Sequence, residues 1–149
     1  MDDLPRKRAH AALDVVVTSV SSDAHTWNLV YLQLLLEELG HRVTNLGACM
    51  PEPLLVSRCA EIMPDLIVVS SVNGHGWRDS VLAVQALRAN EQLARTPAVI
   101  GGKLGIDGPQ GSQLREALVA AGFDEVFEDD CDPAAFVSYL ADVRRRQAA

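Results

Sequence analysis

Asp23 and His25 lie two residues apart in the run Ser21-Ser22-Asp23-Ala24-His25. In an extended loop, side chains two apart share a side, so the carboxylate can hydrogen-bond one ring nitrogen and leave the other free to donate to a metal. The same residue types serve a plainer purpose, with Asp23 capping a following helix and His25 exposed in its first turn. The pair alone leans to the plainer reading, and its place in the fold shifts it to the first. Ser70 and Ser71 offer hydroxyls at the end of an apolar run, for hydrogen bonding or for packing alone. Gly101-Gly102 lets a ligand reach the backbone without meeting a Cβ, or makes a turn. His75, between Gly74 and Gly76, is a ligand contact or an exposed loop residue. Trp27 and Trp77 read as packing residues at helix starts rather than stacking platforms.

Two alternating periodicities must position these groups. β-branched apolar runs over 13–20 and 66–71 have the composition of central strands, and shorter runs over 41–46, 97–100 and 125–127 complete five. Leu29, Leu32, Leu36 and Leu39 recur at helical spacing over 26–39, which stops at Gly40. Further helices are expected over 52–62, with Pro53 in the first turn, and over 77–93, with Val81, Val84 and Leu87 on one face. The last two span 112–121, stopped by Gly122, and 133–146, capped by Asp132. Such alternation requires right-handed crossovers and a mostly parallel sheet covered on both faces. Five strands give the flavodoxin-like (Rossmann-like) doubly wound order 2-1-3-4-5, an α/β fold whose ligand crevice lies at the carboxyl ends of strands one and three. The loops leaving those strands are the two polar ones, carrying Asp23 with His25 and Val72 with Gly74.

A chain of 149 residues is expected to form one domain, with residues 1–12 as a polar tail. No apolar run is long enough to cross a bilayer, and no export signal is read. Cys49, Cys59 and Cys131 are odd in number and unpatterned, which points away from a disulfide framework and toward the cytoplasm. The net charge of −7 argues against a nucleic-acid binder, which must neutralise phosphates with Lys and Arg. Arg144-Arg145-Arg146 suits the negative end of a helix dipole instead. A receiver-type signalling domain shares the topology but requires an acceptor Asp where Ser70 and Ser71 stand, and a Lys where Glu128-Asp129-Asp130 stands. A hydrolase built on Ser70, His25 and Asp23 lacks the Gly-x-Ser-x-Gly elbow.

Three separated motifs nonetheless form one pattern: Ser22-Asp23-x-His25 after strand one, Ser70-x-Val72 ending strand three, and Gly101-Gly102 ending strand four. With Asn45-Leu46-Gly47, the glycines Gly74 and Gly76, and Ala121-Gly122-Phe123-Asp124, the chain resembles the cobalamin-binding domain family over nearly its whole length. The resemblance is to the small subunit of glutamate (methylaspartate) mutase in particular. It implies that His25 replaces the cofactor's dimethylbenzimidazole as lower axial ligand of cobalt, with Asp23 on the other ring nitrogen. It further implies a slot for the displaced nucleotide tail lined by Ser70, Val72, Gly101 and Gly102, with Phe127 near its end. Ser22, Ala24, Thr26, Asn28 and Gly74 would add cofactor contacts. The implied cofactor is adenosylcobalamin, and the implied partner a large TIM-barrel subunit, in a heterotetramer, that holds a small acid substrate and hosts its radical rearrangement. No catalytic acid or base is then expected in this chain alone.

The chain departs from the family's Asp-x-His-x-x-Gly at Asn28 and from its Ser-x-Leu at Val72. Asn28 either narrows the slot or hydrogen-bonds the tail. If the slot is closed, the fold would serve as a cofactor-free binding or regulatory module. A corrinoid methyl carrier is a further alternative, but such relatives place a helical cap before the domain, where about a dozen polar residues stand here.

Overall fold

All five residues of the segment Leu66–Ser70 are buried, as a strand must be that has neighbours on both edges and helices on both faces. A computed structural model of the chain describes residues 12–71, 76–102, 111–128 and 132–148. Among these residues five strands alternate with five helices. They are β1 (Asp14–Thr18), α1 (Trp27–Glu38), β2 (Arg42–Gly47), α2 (Glu52–Ile62), β3 (Leu66–Ser70), α3 (Gly76–Ala89), β4 (Ala98–Gly102), α4 (Gly111–Ala121), β5 (Glu125–Glu128) and α5 (Pro133–Ala148). The sheet is parallel in the order β2-β1-β3-β4-β5, as the alternation predicts. The tail expected over 1–12 lies outside the described residues apart from Ala12, as do Val72, Gly74, His75 and Cys131.

Period-two alternation divides the core into two layers. Val16, Ile67, Val69 and Ile100 face α2, α3 and α4, where they meet Leu55, Cys59, Leu87 and Leu118. Val15, Val17, Val68 and Val99 face α1 and α5, where they meet Leu29, Leu36, Leu140 and Val143. Each fully buried Leu contributes about 1.5–3 kcal/mol relative to an exposed one. The same burial pushes the Cys59 thiol up to about 12, so it is an inert packing residue. No helix among the described residues is long and apolar enough to cross a membrane.

Two elements are shorter than their apolar patterns. β1 leaves the sheet after Thr18, because its register against β2 shifts between Val17 and Thr18 and the chain then turns, with Asp23 N–H bonding the Val20 carbonyl at 3.1 Å. α3 stops at Ala89 rather than 93. The Arg88 guanidinium folds back to bond the carbonyls of Leu93 at 3.2 Å, Thr96 at 2.6 Å and Gly122 at 2.8 Å, and the Asp124 carboxylate at 3.0 Å. Those bonds hold 90–96 in turns that bury Leu93 without extending the helix.

α1 ends as expected at Gly40, whose φ of +95° is the left-handed stop. Gly40 N–H bonds the Glu37 carbonyl and His41 N–H the Leu36 carbonyl, each at 3.0 Å, closing the helix in a Schellman motif. The turn carries His41 inward to 6% exposure, where Nδ1 accepts Leu13 N–H at 3.1 Å and the Arg144 guanidinium lies 3.4 Å from Nε2. Burial, and then the Arg144 charge, hold the His41 pKa below its ordinary 6.5. The unfolded chain therefore takes up a proton that the folded chain resists. This contribution to stability is present in full above pH 6.5 and is lost as pH falls through the folded value. Urea midpoints are expected to drop between about pH 7.5 and about pH 5.5, and to drop less in His41→Gln. Parallel drops in the two chains would remove His41 as the cause.

Candidate functional site

Asp23 is 1% exposed, although a carboxylate taken from water is costly unless donors meet it. Its Oδ1 accepts the His25 backbone N–H at 3.0 Å and lies 2.7 Å from His25 Nδ1, while Oδ2 accepts the Ser71 hydroxyl at 3.2 Å. Its own carbonyl accepts Cys49 N–H at 2.9 Å. One residue thus ties together the segments leaving β1, β2 and β3. A carboxylate oxygen can only accept, so the tautomer that suits this contact has its hydrogen on Nδ1 and leaves Nε2 as the nitrogen with a lone pair. The His25 side chain is 62% exposed, so the lone pair is available to an approaching metal. The helix-cap alternative for Asp23 fails: the N-cap of α1 is Thr26, with no side-chain cap bond.

Beside this loop a cavity of about 530 Å³ opens between α1 and α5, over the carboxyl ends of β3, β4 and β5. Sheet register explains its shape. Ser70 pairs with Gly101 and Gly101 with Phe127, so a hydroxymethyl, a bare backbone and a phenyl ring stand in one row on the face that also holds Val68 and Val99. The floor is low at the first two positions and rises at the third. Phe127 packs edge-on against Phe136 at 5.3 Å and Tyr139 at 5.8 Å, closing the far end. Asn28 is half-buried on the α1 wall, and Glu128 and Asp132 stand at the α5 end. The cavity is open with Asn28 in place.

Of the residues singled out from sequence, Ser70, Gly101, Gly102, Phe127 and Asn28 come together in this cavity. Asp23 and His25 form the pair at its side, with His25 three residues before Asn28, and Ser22, Ala24 and Thr26 are exposed neighbours on the same loop. Val72 and Gly74 lie outside the described residues. Ser71, offered only alongside Ser70, is the residue that bonds Asp23; period-two alternation sends the two serines to opposite faces and is the signal that separates them. Trp27 is corrected: it is 82% exposed and borders the cavity, rather than packing at the helix start.

Residues 13–130 match the family model described as B12 binding domain. The chain belongs to the B12-binding domain family. This B12-binding domain is 31% identical over 133 residues to a glutamate mutase sigma subunit 2 of Haloarcula marismortui, covering 89% of this chain and 88% of that one. A glutamate mutase sigma subunit of Halobacterium salinarum is 32% identical over 113 residues, covering 76% of this chain and 74% of that one. Among solved structures, a cobalamin-binding protein from Desulfitobacterium hafniense superposes with a TM-score of 0.65 at 19% identity, covering 87% of this chain and 59% of that one. That last likeness is one of fold.

Proposed function

We propose that this B12-binding domain is the cofactor-carrying small subunit of an adenosylcobalamin-dependent carbon-skeleton mutase of the glutamate type. The observation that carries this reading is a solvent-facing imidazole, held 2.7 Å from a buried carboxylate, beside a cavity of about 530 Å³. No group of three or more His, Cys, Asp or Glu among the described residues could hold a metal ion. One imidazole completes a coordination sphere but does not build one. A single imidazole of this kind would suit a metal that brings its other ligands with it, as cobalt does in the corrin that the family binds. The cavity also fits the group: its volume is that of a small-ligand site, its walls are mostly apolar, and Ser70 and Asn28 supply hydrogen bonds for the polar part of a nucleotide.

His25 would hold the cobalt through Nε2, and Asp23 would keep the ring from turning. Ser70, Gly101, Gly102, Phe127 and Asn28 would receive the detached nucleotide tail, with Val72 and Gly74 completing the set, while Ser22, Ala24 and Thr26 flank the ring. When bound, adenosylcobalamin supplies a weak cobalt–carbon bond from which radical chemistry starts. The chain's own task is to bind and orient. A small acid substrate and its rearrangement belong to a large TIM-barrel partner, in a heterotetramer in the cytoplasm; the word subunit in the relatives' names supports a partner of some kind.

Incubation with aquacobalamin followed by desalting tests the reading. The expected product is a coloured stoichiometric complex with the absorption of a base-off, histidine-ligated corrinoid. Protein that emerges colourless would reject it in favour of a cofactor-free module.

A further inference from the structure

α1 is apolar on every side, from Trp27 through Leu29, Val30 and Tyr31 to Leu36. Leu29 and Leu36 are buried against the sheet, whereas Trp27 is 82% and Tyr31 63% exposed, one helical turn apart at the outer edge of the cavity. A helix that is apolar all round is ordinarily covered. Two aromatic rings left in water beside an apolar cavity forgo the burial that rings of this size usually gain. Trp27 follows His25 by two residues, so the rings stand where the loop bearing the imidazole meets the cavity.

We propose that Trp27 and Tyr31 are the cover of this cavity, closing on the flat heteroaromatic base of the nucleotide tail and setting the affinity for it. The inference rests on the cobalamin reading and adds two residues that the family motif does not specify, Trp27 at one of its variable positions and Tyr31 beyond it. The spacing of four places both rings on one side of the helix. Exposed side chains change rotamer in picoseconds to nanoseconds, so the cover yields while the tail enters and then stacks upon it. An aromatic ring stacked on a base is worth about a tenfold to hundredfold change in affinity. Apolar walls below and rings above would then enclose the base on both faces.

The test compares aquacobalamin with cobinamide, the same corrin without the nucleotide, by absorption titration of the full chain. Trp27→Ala is expected to weaken cobalamin binding by about tenfold or more, and Tyr31→Ala to act in the same direction. Trp27→Phe should keep most of the affinity, and all three should bind cobinamide as the natural chain does. Because both side chains are exposed, thermal midpoints should stay at the natural value. Unchanged cobalamin affinity in Trp27→Ala, or an equal loss for both corrinoids, overturns the cover while the cofactor reading stands. A natural chain that binds neither corrinoid overturns both.

Discussion

A His25→Ala chain is expected to bind cobalamin about 100-fold more weakly or worse, without the absorption of a histidine-ligated corrinoid. Removing the group that orients a metal-ligating His costs about 10–100-fold in affinity, and removing the ligand costs at least as much. Asp23→Asn supplies the comparison. Its amide oxygen still accepts a hydrogen bond, but one side of the group now donates, so either the ring or the Ser71 hydroxyl loses its acceptor. A loss of about 10–100-fold is expected, with the histidine-ligated spectrum weakened rather than abolished. Equilibrium titrations followed by absorption check both variants. The His25 ring is largely in water, so its removal should leave the urea midpoint at about the natural value. A His25→Ala complex with the natural spectrum would end the axial assignment.

Gly102→Ala is expected to cost about 3–5 kcal/mol of folding stability. A Cβ at Gly102 would lie 2.1 Å from the Ser71 carbonyl oxygen, and the residue's φ of +110° is already one that L side chains rarely adopt. The collision is not relieved without moving the ends of β3 and β4 apart, and the φ is strained for a side chain whatever the space. Gly101→Ala is the milder case, since its Cβ would meet the Phe127 carbonyl oxygen at 3.2 Å with no unusual φ. A loss of about 1 kcal/mol is expected there, together with a raised cavity floor. Urea unfolding of both variants distinguishes them. A Gly102→Ala midpoint equal to that of Gly101→Ala would mean that the strand ends separate at little cost.

The glycine pair shows what a chain of letters can and cannot reveal. Its position at the end of a strand follows from the apolar run before it, but the division of labour depends on what lies across the ladder. A side chain at Gly102 would collide with Ser71, whereas one at Gly101 would press on Phe127 and raise the row it shares with Ser70. The ten elements among the described residues, their order and the end of the sheet at which the cavity opens were legible, because buried strands and amphipathic helices write their periods directly into the apolar residues. The stop of α3 was not. Leu93 keeps the helical spacing and is buried, and only the bonds of Arg88 to carbonyls as far off as Gly122 turn the chain there. The Asp23–His25 pair was offered by its spacing and favoured only by its place in the fold, whereas its anchorage to Ser71, 48 residues away, needed the packing of β1 against β3. Trp27 was misread because an aromatic at a helix start usually packs, and its exposure depends on the gap left between α1 and α5.

The two layers of the core are unequal in what they can give up. Three helices seal one side of the sheet, while the other has two and the opening between them. The opening therefore lies on the two-helix side, away from Leu55, Leu87 and Leu118 of the sealed layer. Substitutions along most of the open wall leave that sealed layer untouched, whereas Gly102, which borders the cavity and also fixes the strand ends, is where retuning the guest would unsettle the host.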